Sequence, residues 1–470
     1  MKKYLIFSLA IAGTLATEFA FRSKPAQVVV NATDSDSTVI KKIFDETLEN
    51  GKAYNDLWFL CKKVPKRLSG SVGAEKAVDY TYGLMKEMGL DSVWLQECMV
   101  PHWERGAAEE AEMMIGKSSE KTRINICALG GSVGTIGNGL TAEVIEVNNF
   151  DQLTELGKKK IEGKIVLFNH PFDEKFVCTF NAYGEAVTYR WAGPHLAETY
   201  GAVGVLVRSM TNSLDTFPHT GVMRVDSLKA LIPSAAISTI DAEKISALLQ
   251  KGSTVSVHMK MNCQWFADAK SHNVIGEIRG SEHPEQVIVF GGHLDAWDTG
   301  EGAHDDGAGC MQGIELLRIY KALKIKPKNT IRCVLWMNEE NGGRGAAAYF
   351  EYAKSKNIKH IAAIESDAGG FSPRGFSLDM KGEAKTKIRS WVPLFFAYGV
   401  YDFTRDGGGA DIGPLKELGT PLLGLTPDSQ RYFDYHHTEI DVYENVNRRE
   451  LHLGAGAMAG LVYMIDKYGL

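Results

Sequence analysis

The stretch from Gly291-Gly292-His293-Leu294-Asp295 to Asp305-Asp306, followed by Glu339-Glu340, Asp367 and His437, sets two imidazoles and several carboxylates at the edges of apolar, strand-like runs. Nitrogen and oxygen donors in this mixture suit zinc, and one carboxylate shared by two ions would hold them close together. In the pair Glu339-Glu340, one residue can ligate while its neighbour stays unligated and works as a general base. The chemistry implied is hydrolysis at a dinuclear zinc site.

Such a site needs separate elements to deliver its donors to one edge. The run 286–291 reads as an apolar strand leading to His293, 331–337 as one leading to Glu339, and 360–365 as one leading to Asp367. Helical patterns at 307–323 and 344–355 lie between them. Strand–helix alternation with continuously apolar strands predicts a largely parallel sheet covered on both faces. In such sheets ligands bind outside the carboxyl ends of the strands. Three strands offer their candidate donors at that end, an agreement that chance placement would not give.

Each residue also has a plainer reading. A lone His after a strand is ordinarily a surface or satisfied core residue. His293 differs because Asp295, two residues on, can accept the other ring N–H and fix the tautomer. Asp305-Asp306 before Gly-Ala-Gly would suit an acidic helix N-terminus, but an Asp bridging two metals suits the same place. Glu339-Glu340 alone would be a solvated loop pair, yet it follows the apolar Val334-Leu335-Trp336-Met337. His436-His437 in an aromatic stretch would ordinarily be packing, and Asp441 is spaced to hold His437.

The chain before residue 273 supplies none of these donors. Lys2-Lys3, an apolar run at 4–15 and small residues at Ala16 and Ala20 form a signal-peptide pattern over 1–20, which predicts export to a periplasm or the outside. Helical patterning over 38–90 is broken at Arg67-Leu68-Ser69-Gly70-Ser71. Short β runs with intervening helices then occupy 138–262, which reads as an inserted α/β module between a first peptidase part, 38–137, and a second, 263–470. His170, His195, His219 and His258 lie in that module without an acidic partner at comparable spacing. The seven cysteines include no Cys-x-x-Cys pair; a disulfide among Cys61, Cys98, Cys127 and Cys178 is one option in an exported chain.

A formal charge of −6, with 44% hydrophobic and 23% charged residues over 470, describes a globular chain without a footprint for nucleic acid. No apolar run of the mature chain is long enough to span a bilayer.

At these residues the chain resembles the co-catalytic zinc exopeptidases. The likeness rests on Gly-Gly-His-Leu-Asp-Ala-Trp-Asp, Asp-Asp-Gly-Ala-Gly, Leu-Trp-Met-Asn-Glu-Glu-Asn-Gly-Gly, Glu-Ser-Asp-Ala-Gly-Gly, Gly-Gly-Gly-Ala-Asp-Ile-Gly-Pro-Leu, His-His-Thr-Glu-Ile-Asp and the Arg67 to Ser71 turn. It implies a mixed, largely parallel central sheet flanked by helices, with an inserted α/β protease-associated domain. It further implies two Zn2+ ions, one held by His293 and Asp367, the other by Glu340 and His437, with Asp305 bridging. Glu339 would be the general base, Asp295 the orienter of His293 and His436 an oxyanion donor. The expected substrate is a dipeptide or short peptide, with carboxypeptidase and aminopeptidase action both open. A binding scaffold that has lost its ligands is the alternative of another class, and all five ligand positions being filled argues against it. A cyclase on the same fold would use a single zinc and lack the inserted domain. Oligomeric state, a homodimer included, is not legible in the sequence.

Overall fold

Val287, Ile288, Val289 and Phe290, like Ile331 to Trp336, are all buried, so the strands they form must be covered on both faces. The alternation is visible in the packing. Ile288, Phe290, Ile331, Cys333 and Leu335 face one apolar layer, while Val287, Val289, Val334 and Trp336 face the other. The first layer includes helices Asp36–Asn50, Ala308–Leu323 and Arg448–Tyr468; the second includes helix Arg344–Ser355. Truncating a fully buried residue such as Trp336 to Ala would cost ~3–5 kcal/mol. These relationships come from a computed structural model, which describes residues 30, 33–64, 66–225 and 232–470. The expected signal peptide at 1–20 lies outside the described residues.

The central sheet has seven strands in the order Ser92–Glu104, Gln264–Ile278, Asn329–Trp336, His283–His293, Lys359–Glu365, Leu422–Pro427, Pro373–Asp379. The pairings among Asn329–Trp336, His283–His293, Lys359–Glu365 and Leu422–Pro427 are parallel, and the outer ones are antiparallel. The fold is therefore mixed α/β, as the strand–helix alternation predicts for the centre. The antiparallel flanks make the sheet mixed, as the resemblance implies.

A second sheet of eight strands runs Lys121–Arg123, Glu110–Ile115, Val255–Lys260, Leu140–Val147, Ile165–Phe168, Gly204–Arg208, Ser234–Ile237, Ile126–Ala128. The chain leaves the central sheet at Glu104 and rejoins it at Gln264, and these two residues are paired. The limit at 138 expected from the sequence cuts this second sheet. Glu110–Ile115 pairs with Val255–Lys260, and Ile126–Ala128 with Ser234–Ile237, so three strands before 138 belong to it. Local composition does not reveal such long-range pairing.

Ser71 caps helix Val72–Glu87 through its hydroxyl, which ends the turn begun at Arg67. All seven cysteines are free thiols, so the disulfide considered from the sequence is not formed. Among the described residues no helix is long and apolar enough to cross a membrane.

Candidate active site

Strand His283–His293 ends with its last residue inside the site, and glycine is what lets the next layer close on it. A Cβ at Gly292 would lie 2.1 Å from Asp306 Oδ2, and one at Gly309 would lie 1.9 Å from the Ser366 carbonyl oxygen. Asp306 fills the space so released. It accepts the main-chain N–H of His293 at 3.1 Å and that of Gly309 at 2.9 Å. The Gly-Gly-His and Asp-Asp-Gly-Ala-Gly sequences are thus two halves of one contact.

Five of the expected residues converge around Asp305. His293 Nε2 lies 3.1 Å from Asp305 Oδ1 and 3.4 Å from Asp367 Oδ1. His437 Nε2 lies 3.1 Å from Asp305 Oδ2 and 3.1 Å from Glu340 Oε2. His293 thus pairs with Asp367 and with Oδ1 of Asp305, and His437 with Glu340 and with Oδ2. His436 Nε2 is 3.7 Å from Asp305 Oδ2, and its ring stacks on that of His437 with centroids 3.5 Å apart.

Asp295 acts differently from the sequence expectation. Its main-chain carbonyl, not its carboxylate, accepts from His293 Nδ1, at 2.9 Å; Oδ1 of the carboxylate is 4.0 Å away. The carboxylate instead accepts the N–H groups of Asn338 at 2.6 Å and Glu339 at 3.1 Å. The physical reason is the short loop: turning the carbonyl onto the ring leaves the side chain free to reach the neighbouring strand end. Asp441 also departs from expectation. It accepts the N–H of His304 at 2.7 Å and of Asp305 at 3.1 Å, so it holds the Asp305 loop rather than His437.

Two groups that the sequence reading left out of the site belong to it. Nδ1 of His437 meets the carbonyl of Thr220 at 3.1 Å, and Thr220 is in the second-sheet region. Arg67 is buried and donates to the carbonyls of Leu294, Glu301 and Gly302, while Ser69 donates to Asn341. The Arg67 to Ser71 turn thereby clamps the His293–Asp305 loop to the Glu339–Glu340 loop. Its presence was legible in the sequence, but its partners were not.

The electrostatics are those of an anionic nest. Burial pushes the Glu339 carboxyl well up; Asp367, Glu340 and Asp305 push the same way, and His293 opposes them only in part. Glu340 is pushed up to about 7 by burial and by Asp305. Against burial, His437 is raised to about 10 by Glu340 and Asp305, and His293 is raised by Asp367 and Asp305. The imidazoles take up the positive charge the carboxylates demand.

A dication answers that demand better. Asp305 Oδ2 is buried and has no hydrogen-bond partner, although His437 Nε2 is only 3.1 Å away. The pair lies at ion-pair distance without good hydrogen-bond alignment, the arrangement of two donors aimed at one ion. Donor atoms of His293, Asp305 and Glu340 lie within 4.8 Å of one another, as do those of His293, Asp306 and Asp367 and those of Asp305, His436 and His437. Imidazole nitrogen with carboxylate oxygen is a donor set that zinc accepts. The residues fit the metal.

Beside Asp367 opens a cavity of about 560 Å³, bordered by Phe180, Asn181, Arg405 and Gly407 to Gly409. Gly409 has no alternative there, since a Cβ would meet the Glu365 carboxyl carbon at 2.3 Å. Glu365 accepts the N–H groups of Ala410 and Ile412, both at 2.9 Å, and so shapes this wall. Arg405 and Asp406 both border the cavity, but each already has a partner, Asp402 and Lys385 respectively.

Imidazoles and carboxylates converging at the carboxyl ends of parallel strands in a helix-flanked sheet define an α/β metallohydrolase. The sequence pattern of peptidase family M28 matches residues 273–462. Carboxypeptidase Q of Bos taurus is 35% identical over 91% of this chain and 88% of its own length; that of Xenopus laevis is 38% identical over 88% and 86%. The peptidase M28 precursor of Shewanella amazonensis superposes with a TM-score of 0.87 at 29% identity, over 92% of this chain and 96% of that one. A zinc aminopeptidase from Bacillus subtilis shares the fold, with a TM-score of 0.63 at 19% identity over 88% of this chain and 95% of that one. The chain belongs to peptidase family M28 and is a zinc metallopeptidase.

Proposed function

We propose that the protein is an exported dinuclear zinc exopeptidase that hydrolyses dipeptides and short peptides. The observation that carries the two-metal reading is Asp305, whose two oxygens each lie 3.1 Å from the Nε2 of a different imidazole. On this reading His293 and Asp367 would hold one zinc and Glu340 and His437 the other, with Asp305 shared between them. Bound zinc supplies Lewis acidity at the scissile carbonyl and lowers the pKa of water.

The residues of the chain do the rest. Glu339, which meets neither imidazole within salt-bridge distance, takes the proton of the attacking water and delivers it to the leaving amine. Asp295 sets the backbone from which Glu339 projects. His436, packed against His437, offers a ring nitrogen towards the oxygen that gains charge.

Short substrates fit a bounded site. The second sheet region frames the cleft as an inserted lobe, and Phe180 and Asn181 from it close over the cavity beside Asp367. Relatives carry both the carboxypeptidase Q and the leucine aminopeptidase names, and on a dipeptide the two polarities cleave the same bond. The charged, apolar and small-residue order over 1–20 supports export. Elemental analysis of active protein should find about two zinc ions per chain, with activity lost to a chelator and restored by zinc. Full activity at less than one equivalent refutes the two-metal reading.

A further inference from the structure

His437 is held by a different part of the molecule from His293. The ring of His293 is fixed within its own loop, by the carbonyl of Asp295. His437 is fixed by Thr220, some two hundred residues earlier, and the two exchange two bonds. The Thr220 carbonyl accepts from His437 Nδ1, and the Thr220 N–H donates to the His437 carbonyl, both at 3.1 Å. His437 itself has φ of 62°, a left-handed conformation that a non-glycine residue keeps only where its surroundings enforce it.

The Thr220 carbonyl is in turn set by Arg190, which is only 5% exposed. Arg190 Nη1 donates to that carbonyl at 3.2 Å and also lies 3.5 Å from His437 Nδ1, while Nη2 donates to the Tyr183 hydroxyl at 2.8 Å. Gly221 lets the guanidinium approach: a Cβ there would lie 2.3 Å from Arg190 Cζ, and its φ of 135° disfavours any side chain. The strap is anchored to the second sheet, since Thr220 Oγ1 donates to the Ala128 carbonyl at 2.7 Å and the Gly130 N–H to the Gly221 carbonyl at 3.0 Å. The segment that carries His437 is gripped elsewhere by the same lobe. Thr179 donates to the Ser429 carbonyl at 2.8 Å, Ser213 to Asp434 at 2.9 Å, and Phe433 packs on Tyr183 at 4.9 Å.

We infer that the second-sheet lobe, through the Arg190–Thr220 strap, positions His437 and thereby sets the affinity of one metal position while leaving the other to the central sheet. Arg190 and Gly221 are positioning residues for the half of the site formed by Glu340 and His437. Groups that hold the far nitrogen of a ligating imidazole fix its tautomer and direction, and their loss weakens metal binding about 10–100-fold. The inference rests on the assignment of His437 and Glu340 to one metal.

The test is a zinc titration of the full, metal-stripped chain against a chromophoric chelator, with Co2+ titrations followed by visible absorption. Arg190→Gln and Gly221→Ala should each weaken one of the two equivalents by about 10–100-fold and leave the other unchanged. The cobalt spectrum of that equivalent alone should change, and Arg190→Lys should recover part of the affinity. If both equivalents weaken together in step with a fall in melting temperature, or if neither weakens, the strap has no selective role and the inference is overturned. Wild-type protein that binds only one equivalent would refute the two-metal assignment itself, a result distinguishable from failure of the strap.

Discussion

Oδ1 of Asp295 accepts the main-chain N–H of Glu339 at 3.1 Å, while the carbonyl of the same Asp295 accepts from His293 Nδ1 at 2.9 Å. One residue therefore sets the direction of a candidate ligand through its backbone and of the candidate base through its side chain. Asp295→Ala keeps the carbonyl contact to His293 and removes the carboxylate contact to Glu339. It should lower kcat by about 10–100-fold with zinc content unchanged, by the usual cost of losing such a support. Asp295→Asn keeps an accepting oxygen and should lose less. Equal losses in the two variants, or loss of metal in either, would show that the carboxylate does something other than hold Glu339.

Glu339 and Glu340 are neighbours with separate assignments. Glu340 Oε2 lies 3.1 Å from His437 Nε2, and its Oε1 accepts the Trp297 N–H at 3.2 Å. Glu339→Gln should cost ~10²–10⁴ in kcat while both metals stay, the range for removing a general base. Glu340→Gln should lose metal as well as activity. Metal analysis of the two variants decides between the roles, and identical zinc contents would reverse or merge them.

On the proposed exopeptidase reading, the substrate brings a free amine rather than a blocked one to the cavity beside Asp367. Unblocked dipeptides should be turned over much faster than their N-acetyl derivatives, as product analysis by mass would show. Similar rates on both, or internal cleavage of a folded protein, would remove the exopeptidase reading.

His360 gives the fold an acid sensitivity remote from the metal positions. Its Nε2 accepts from the Tyr349 hydroxyl at 2.9 Å, and that hydroxyl accepts from Arg332 at 3.2 Å. Burial, with Arg332 alongside, lowers its pKa from 6.5 to about 3. Below pH 6.5 the unfolded chain takes a proton that the folded chain refuses until about pH 3. Stability is therefore lost as the pH falls through that window, by about 1.4 kcal/mol per pH unit from this one group. His360→Gln keeps an accepting oxygen without titrating. Denaturant melts between pH 7 and 4 should show a shallower loss in the variant, and an unchanged slope would exclude His360 as a source.

The sequence by itself determined the candidate donors and the edge they share. Strands that are buried on both faces must be continuously apolar, so the polar residues at their ends stand out, and His293, Glu339, Glu340 and Asp367 were legible for that reason. The Arg67 to Ser71 turn was legible as a motif. What it ties together was not, because its partners at Leu294, Glu301 and Asn341 are more than two hundred residues away. A shorter but still long separation, from Glu110 to its partner Lys260, hid the start of the second sheet. Only the tertiary structure decided that Asp441 supports Asp305, that the Asp295 carboxylate serves Glu339, and that Thr220 orients His437. Hydrogen bonds of this kind depend on where two loops meet, and side-chain periodicity along one segment holds no record of that meeting.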